Sequence, residues 1–397
     1  MSYQYRCFEC GARFEITPSL MVCPKCSAAQ KSDEPLHGVL EVVSSNTPNK
    51  DIQNFDIFDF LPVEKNFFPS IPVGNTPLWE SEKLRNLLGL KNLYIKDEGT
   101  QPTGSFKDRA SFLVAAFARK HGVKNITLAS TGNAGSSMSG IGAASDLNIT
   151  LFLPKTAPQA KMVQALQYGA RLILVDGNYD NAYDLSMEFT KKMGGMSRNT
   201  AYNPLTIEGK KTVSLELFKQ LGGKAPDVVF VPVGDGVIIS GVYKGFRDLL
   251  EKGFISKIPI IYSAQSSKSD AINRAFIKGH FENIPTNTIA DSICVDIPRN
   301  GYLALKNIKD HHGRIVTITD EEILFAQHEL SKTSGLFTEP AGATAYAGLK
   351  KALSQNEIDK NSSIVVLTTG SGLKDAATAL KGVTAPSKPI KSLSELT

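Results

Sequence analysis

The chain has 397 residues, 42% of them apolar and 21% charged, with a formal charge of +5. That length exceeds one small domain, and the ordinary apolar fraction supplies a sizeable core, so two or three globular units are expected. The mild positive charge suits anionic small molecules, but no Lys/Arg block points to nucleic acid and no apolar run approaches membrane-spanning length, so neither is expected as a partner. Met1 to Cys10 carries no apolar signal segment, which sets the expectation of a cytoplasmic protein.

In chain order, the first feature is a pair of C-x-x-C knuckles, Cys7 with Cys10 and Cys23 with Cys26, twelve residues apart, with Gly11 and Pro24 in the turns. Four soft thiolates on two tight turns match a closed tetrahedral zinc site, and a closed site is structural because no position is left for water. Two disulfides are the alternative, which a cytosolic setting disfavours. Residues 1–45 are therefore expected as a zinc ribbon. Cys294 stands far away and reads as a core residue. Ser44 to Pro69 reads as linker and edge, with the aromatic-rich Phe55 to Phe68 packing on the main body.

Next comes Thr103-Gly104-Ser105-Phe106-Lys107-Asp108-Arg109, leading into Ala110 to Lys120, a run of good helix formers stopped at Gly122. Lys107 is thus expected at the positive end of a helix dipole and beside Arg109, which disfavours its protonated form. A neutral amine is what imine formation with an aldehyde requires. Taken alone, the same lysine is an ordinary surface residue in a charged turn.

Strands and helices then alternate. Short apolar runs at 125–130, 149–153, 171–175, 228–233, 258–263, 314–319 and 364–368 predict strands separated by helices, the pattern of parallel sheets covered on both faces. Three loops follow predicted strands, where such sheets place ligands. Ser130-Thr131-Gly132-Asn133-Ala134-Gly135 offers hydroxyls and amides at a helix start, an anion site suited to a carboxylate or simply a helix cap. Gly234-Asp235-Gly236-Val237-Ile238 is a glycine-rich turn into a helix that presents backbone N–H groups to a phosphate, without being a Walker or dinucleotide sequence. Thr368-Thr369-Gly370-Ser371 puts hydroxyls at the end of the last strand. The polar tail, residues 384–397, is expected to be disordered.

These motifs together resemble the fold-type II pyridoxal-phosphate enzymes, and within them the threonine synthase family. G-N-T-P-L at Gly74 to Leu78, P-T-G-S-F-K-D-R at Pro102 to Arg109, S-T-G-N-A at Ser130 to Ala134, E-P-A at Glu339 to Ala341 and T-G-S-G-L-K-D at Thr369 to Asp375 occur in that family's order. The resemblance covers about residues 70 to 380. It implies an α/β fold of the tryptophan synthase β-like kind, with two open, mainly parallel three-layer α/β domains beside the zinc ribbon. The large cofactor-binding unit would comprise residues 46–104 and 206–383, and a small mobile unit residues 105–205. A homodimer is also implied.

Carried onto this sequence, the resemblance makes Lys107 the Schiff-base lysine and catalytic base. Asn133 would contact the 3-oxygen of pyridoxal 5'-phosphate, Gly234, Asp235, Gly236, Val237 and Ile238 would wrap its phosphate, and Thr369 would face its ring nitrogen. Ser130, Thr131, Gly132 and Ala134 would hold the carboxylate of an amino-acid substrate. The implied reaction is that of a carbon–oxygen lyase, O-phosphohomoserine and water to threonine and phosphate. The sequence departs from the family at its phosphate contacts. Ala134 stands where a threonine is usual, and N-S-V-N-P-x-R-x-E-G appears as Thr200 to Gly209 with Ala201 for the serine and Thr206 for the arginine. Losing a bidentate guanidinium is a major change at a phosphate site. Either Lys155, Lys161, Lys210, Lys211 or Arg299 holds the phosphate instead, or turnover of phosphohomoserine is weak and the site serves another reaction. The alternatives are a threonine or serine dehydratase, a cysteate synthase-like replacement enzyme, and a non-catalytic amino-acid-binding protein.

Overall fold

The computed structural model describes residues 3–395 apart from 47, 49, 158, 387 and 388, with no account of the side chains of 159–161. Parts of the expected carboxyl-terminal tail (387, 388, 396 and 397) therefore lie outside the described residues. Its described residues are exposed, with one short turn at Leu393–Glu395.

Three sheets organise the chain. The first is antiparallel, with Tyr3–Cys7 between Arg13–Phe14 and Leu40–Ser44. Tyr5 and Val42 from it share one apolar core with Leu113, Val114 and Phe117 of the helix Lys107–Lys120, so the cysteine-bearing segment is packed onto the body. The second sheet runs in the order Arg314–Ile318, Ile260–Ser266, Val228–Pro232, Ser363–Thr368, Asn92–Asp97, Leu78–Trp79. All its neighbours are parallel except the last pair. The third is a parallel sheet of Arg171–Val175, Asn148–Pro154, Asn125–Ala129 and Met196–Ser197.

The central strands are apolar on both faces because helices cover both. Every residue of Val228–Pro232 is buried, and Gly348 in the helix Pro340–Ser354 lets that helix lie directly on Phe230, Ala264 and Val316. Asn92–Asp97 carries no such signature, since its last two residues are Lys96 and Asp97, and periodicity did not mark it as a strand. Lys96 is nonetheless fully buried, because Glu216 Oε2, Gln220 Oε1 and Thr76 O accept from its ammonium at 2.8, 2.8 and 2.7 Å. Cys294, expected in the core, is instead half-buried in a loop with its sulfur 3.3 Å from Thr286 Oγ1. Among the described residues, no helix is long and apolar enough to cross a membrane.

Candidate active site

Lys107 opens the helix Lys107–Lys120. The turn before it is tied to the end of the central strand Ser363–Thr368: Phe106 N donates to Thr369 O and Ser371 N to Gly104 O, both at 2.9 Å. Two residues on, on the other side of the same helical turn, Arg109 is saturated. Its Nε and Nη2 donate to Glu98, and its Nη1 and Nη2 to Glu216, each at 2.7 Å. With Lys96 these residues form a buried cluster of two cations and two carboxylates. Arg109 therefore faces away from Lys107 and does not depress it, contrary to the expectation from the K-D-R run. The Lys107 side chain keeps a partly open edge, yet burial of its amine holds the pKa below the ordinary lysine value. Glu339 pulls the other way, Arg198 adds to the depression, and Asp235 opposes it.

Asn133 begins the helix Asn133–Ala143, and its Nδ2 donates to Glu339 Oε2 at 2.9 Å and to Ser292 Oγ at 3.2 Å. Ser292 Oγ also donates to Glu339 Oε2, at 3.1 Å. Both amide hydrogens of Asn133 are thus engaged, leaving its oxygen free to accept. Burial raises the Glu339 carboxyl above its usual range. A polar cavity of ≈ 140 Å³, lined by Gly132, Asn133, Ser292, Glu339 and Lys374 among others, opens beside this group. Ser130 Oγ accepts from Gly135 N at 3.0 Å and Gly132 N at 3.3 Å, so this hydroxyl caps the helix while its own hydrogen stays available. Thr131 and Ala134 flank it in the same loop and helix start.

The glycine-rich loop follows Val228–Pro232. A Cβ on Gly234 would lie 2.7 Å from Ile293 Cα, and Gly236 has φ +84°, so neither position admits a larger residue without movement. Val237 and Ile238 start the helix Val237–Glu251. Asp235 turns from the loop toward residue 299: its Oδ1 accepts from Arg299 N at 2.5 Å, and its O from Asn300 N at 3.0 Å. Its Oδ2 is buried without a hydrogen-bond partner among the described residues, and burial pushes the carboxyl up to about 6. Thr369, buried, follows Ser363–Thr368 directly. Lys107, Asn133, the 234–238 loop and Thr369 thus stand together at the carboxyl ends of strands from two sheets.

The cations proposed from sequence as phosphate anchors separate sharply. Lys155 is exposed and pairs with Asp176. Lys161 lies outside the residues whose side chains are described. Lys211 is buried but consumed by Glu208, Asp248 and the carbonyl of Phe60. Arg299 pairs with Asp180 at 2.7 Å and lies over the Tyr183 ring. Of these, Lys210 alone is fully buried with no side-chain hydrogen bond or ion pair among the described residues. Thr206 spends its hydroxyl on Asn203 O at 2.8 Å, and Ala201 is buried with φ +61°. Sequence reasoning missed Arg198, Ser292 and the role of Glu339. None lies in a periodic pattern, and Arg198 follows a strand of only two residues.

The sulfur atoms of Cys7, Cys10, Cys23 and Cys26 lie within 4.8 Å of one another, with Cys7–Cys26 and Cys10–Cys23 at 3.8 Å, a set compatible with a metal site. Between this cluster and the glycine-rich loop runs a short backbone path. Leu36 N donates to Arg299 O at 2.8 Å, and Arg299 N in turn reaches Asp235. Leu36 and Val39 also share a small apolar cluster with Val237.

A profile described as pyridoxal-phosphate dependent enzyme matches residues 70–370. A threonine synthase of Methanocaldococcus jannaschii is 36% identical over 97% of this chain and 96% of its own length. That of Methanosarcina acetivorans is 32% identical over 95% and 94%. Among solved structures, threonine deaminase isoform 2 of Solanum lycopersicum superposes with a TM-score of 0.69 at 23% identity, covering 86% of this chain and 97% of that one.

Proposed function

The chain belongs to the pyridoxal-phosphate dependent enzymes, and from that premise we propose that it is a threonine synthase, turning O-phosphohomoserine and water into threonine and phosphate. The observation that carries this reading is Lys107, a buried, unpaired amine at a helix start, facing a glycine cradle across the ends of parallel strands. The residues present fit the cofactor. A side chain at Gly234 would collide with Ile293, so the loop keeps its backbone bare, and the amides of Gly236, Val237 and Ile238 at a helix start would suit a phosphate. Gly234, Asp235, Gly236, Val237 and Ile238 would hold that phosphate, Asn133 the ring oxygen, Thr369 the ring nitrogen and Lys107 the aldehyde carbon.

When bound, the cofactor supplies the electron sink that makes protons on Cα and Cβ of the substrate removable. Lys107 is neutral more readily than a solvated lysine, so its Nζ has a free pair to take those protons and return one. Ser130, Thr131, Gly132 and Ala134 would hold the substrate carboxylate with hydroxyls and helix-start amides. Overall the Cγ–O bond breaks with release of phosphate, and water places its hydroxyl on Cβ and its hydrogen in the product. Glu339 fixes Asn133 and places a carboxyl near Lys107, which a neutral form would do without a buried charge.

A second reading, a threonine or serine dehydratase, draws on Ala201 and Thr206, neither of which offers a phosphate contact. One panel separates the two: phosphohomoserine, phosphoserine, threonine and serine, with phosphate, threonine and oxo-acid readouts. Threonine and phosphate formed in equal amounts support the synthase. Oxo acid from threonine or serine with no phosphate release rejects it.

We further propose zinc at the cysteine cluster. A tetrahedron with Zn–S bonds of about 2.3 Å has edges near 3.8 Å, which the closest sulfur pairs match. Such an ion would anchor residues 1–45. The separate sheets support a large unit of 46–104 and 206–383 and a small unit of 105–205 that closes on the substrate. A cytoplasmic homodimer is the setting this reading carries.

A further inference from the structure

Six lysine and arginine side chains are among the buried residues: Lys96, Arg109, Arg198, Lys210, Lys211 and Lys244. Four are paired with buried carboxylates in two balanced clusters, Lys96 and Arg109 with Glu98 and Glu216, Lys211 and Lys244 with Glu208 and Asp248. Arg198 and Lys210 have no ion pair at all among the described residues. A buried cation without a partner costs several kcal/mol, so a chain that keeps two of them in one place has a use for them.

Their positions converge on the amine of Lys107. Arg198 is fully buried, donates from Nε and Nη2 to Ser111 Oγ at 3.4 and 3.3 Å, and leaves Nη1 with no partner. Ser111 is four residues after Lys107 on the same helix, so the guanidinium lies on the Lys107 face, one turn along. Lys210 comes from the opposite side. Its neighbour Gly209 is pressed so closely on Arg109 and Ala110 that a Cβ would sit 2.4 Å from Arg109 O. Its own Cβ would meet one on Gly241 at 2.6 Å, in the helix that leaves the glycine-rich loop. The stem of Lys210 thus starts against the first turns of the helix Val237–Glu251, next to a glycine pressed on the helix that Lys107 opens. The three cations repel one another: burial, then Lys107 and Arg198, hold Lys210 well below the ordinary lysine value. The carboxylates facing this group are Asp235, Glu339 and, toward Arg198, Asp108, none within ion-pair distance.

We propose that Arg198 and Lys210 form the phosphate-binding pole of the substrate site, taking the part that the missing arginine and serine have at Thr206 and Ala201. The ligand chemistry is a phosphate monoester dianion, and the source is the substrate rather than the cofactor, whose phosphate has the backbone amides after Gly234. This rests on the reading of the protein as a cofactor-loaded enzyme acting on a phosphorylated amino acid. Arg198 presents a directional donor and Lys210 a point charge, and the incoming dianion neutralises both.

The test is calorimetric titration of inorganic phosphate into the full-length holoenzyme, with cofactor content followed by visible absorbance. Wild type is expected to bind phosphate with its cofactor retained. Arg198→Met and Lys210→Met each weaken that binding about tenfold or more at unchanged cofactor content, and Arg198→Lys recovers part of it. Lys210→Met also raises the melting temperature in phosphate-free buffer, because a buried amine with no partner gives way to an apolar side chain of similar length. Should Arg198→Met not fold, Lys210→Met and Arg198→Lys decide alone. Phosphate binding untouched in the variants overturns the proposal. So does a holoenzyme that binds no phosphate, or variants that lose cofactor while the loaded fraction binds phosphate normally, since the cations then serve the cofactor. Phosphate binding by this pair without turnover of phosphohomoserine would instead leave the pole standing and reject the synthase reading.

Discussion

Asp235 carries a carboxyl that folding disfavours, and replacing it with asparagine should stabilise the protein in a pH-dependent way. In the unfolded chain the group titrates near 3.8, and in the fold, chiefly through burial, near 6. The native state therefore holds a proton that the unfolded state has released between about pH 4 and pH 6, so this group's contribution to stability falls as pH rises through that window. Above pH 6 the loss is complete. Roughly two units at 1.36 kcal/mol each gives about 3 kcal/mol. Asparagine keeps the oxygen that accepts from Arg299 N and replaces the orphaned Oδ2 with an uncharged group. Urea denaturation of the cofactor-free chain, wild type beside Asp235→Asn, isolates this site from every other titrating group. The stability difference should be near zero at pH 4 and grow to about 3 kcal/mol in favour of the variant by pH 7. A difference independent of pH, or one favouring wild type above pH 6, would show that the carboxylate is compensated and the reasoning wrong.

Three further outcomes follow from the packing around the site. Glu216→Gln leaves Arg109 and Lys96 short of a counter-charge and should cost about 3–5 kcal/mol in denaturation, with weaker cofactor retention because the Lys107 turn rests on Arg109. Gly209→Ala forces a methyl against Arg109 O. It should lose about 1–3 kcal/mol, whereas Gly222→Ala, with open space at φ +68°, loses only the backbone term. On the proposal of zinc at the cysteine cluster, a chelator or Cys10→Ser should raise the cofactor dissociation constant, because Leu36 holds Arg299 and Arg299 holds Asp235. A cofactor affinity indifferent to metal would show that path to be uncoupled.

The alternation of apolar runs was legible because buried parallel strands need apolar residues on both faces, and the runs at 125, 171, 228, 314 and 364 start strands within a residue or so of expectation. The strand Asn92–Asp97 was not legible. It ends in Lys96 and Asp97, and the burial of Lys96 depends on Glu216, far along the chain and invisible to any local pattern. The cysteine spacing pointed to a cluster, and the fold brings the four sulfurs together, since two knuckles of that length have few other ways to pack. At the site, glycine loops and the helix-start lysine were marked by turn chemistry. Arg109 was read as a neighbour repelling Lys107 because sequence adjacency hides that residues two apart on a helix point to different sides. Arg198 was missed for the complementary reason: what makes it notable is the absence of a partner, and absence of a partner is a property of the folded molecule.

The central claim is that Lys107, and no other buried lysine, bonds the cofactor. Borohydride reduction of the holoenzyme followed by peptide mass spectrometry tests it directly, since reduction fixes the cofactor to whichever amine carries it. The account predicts a single adduct at Lys107, absent from Lys107→Ala together with the visible absorbance band. An adduct at Lys210, a buried amine held well below the ordinary lysine value, would contradict it.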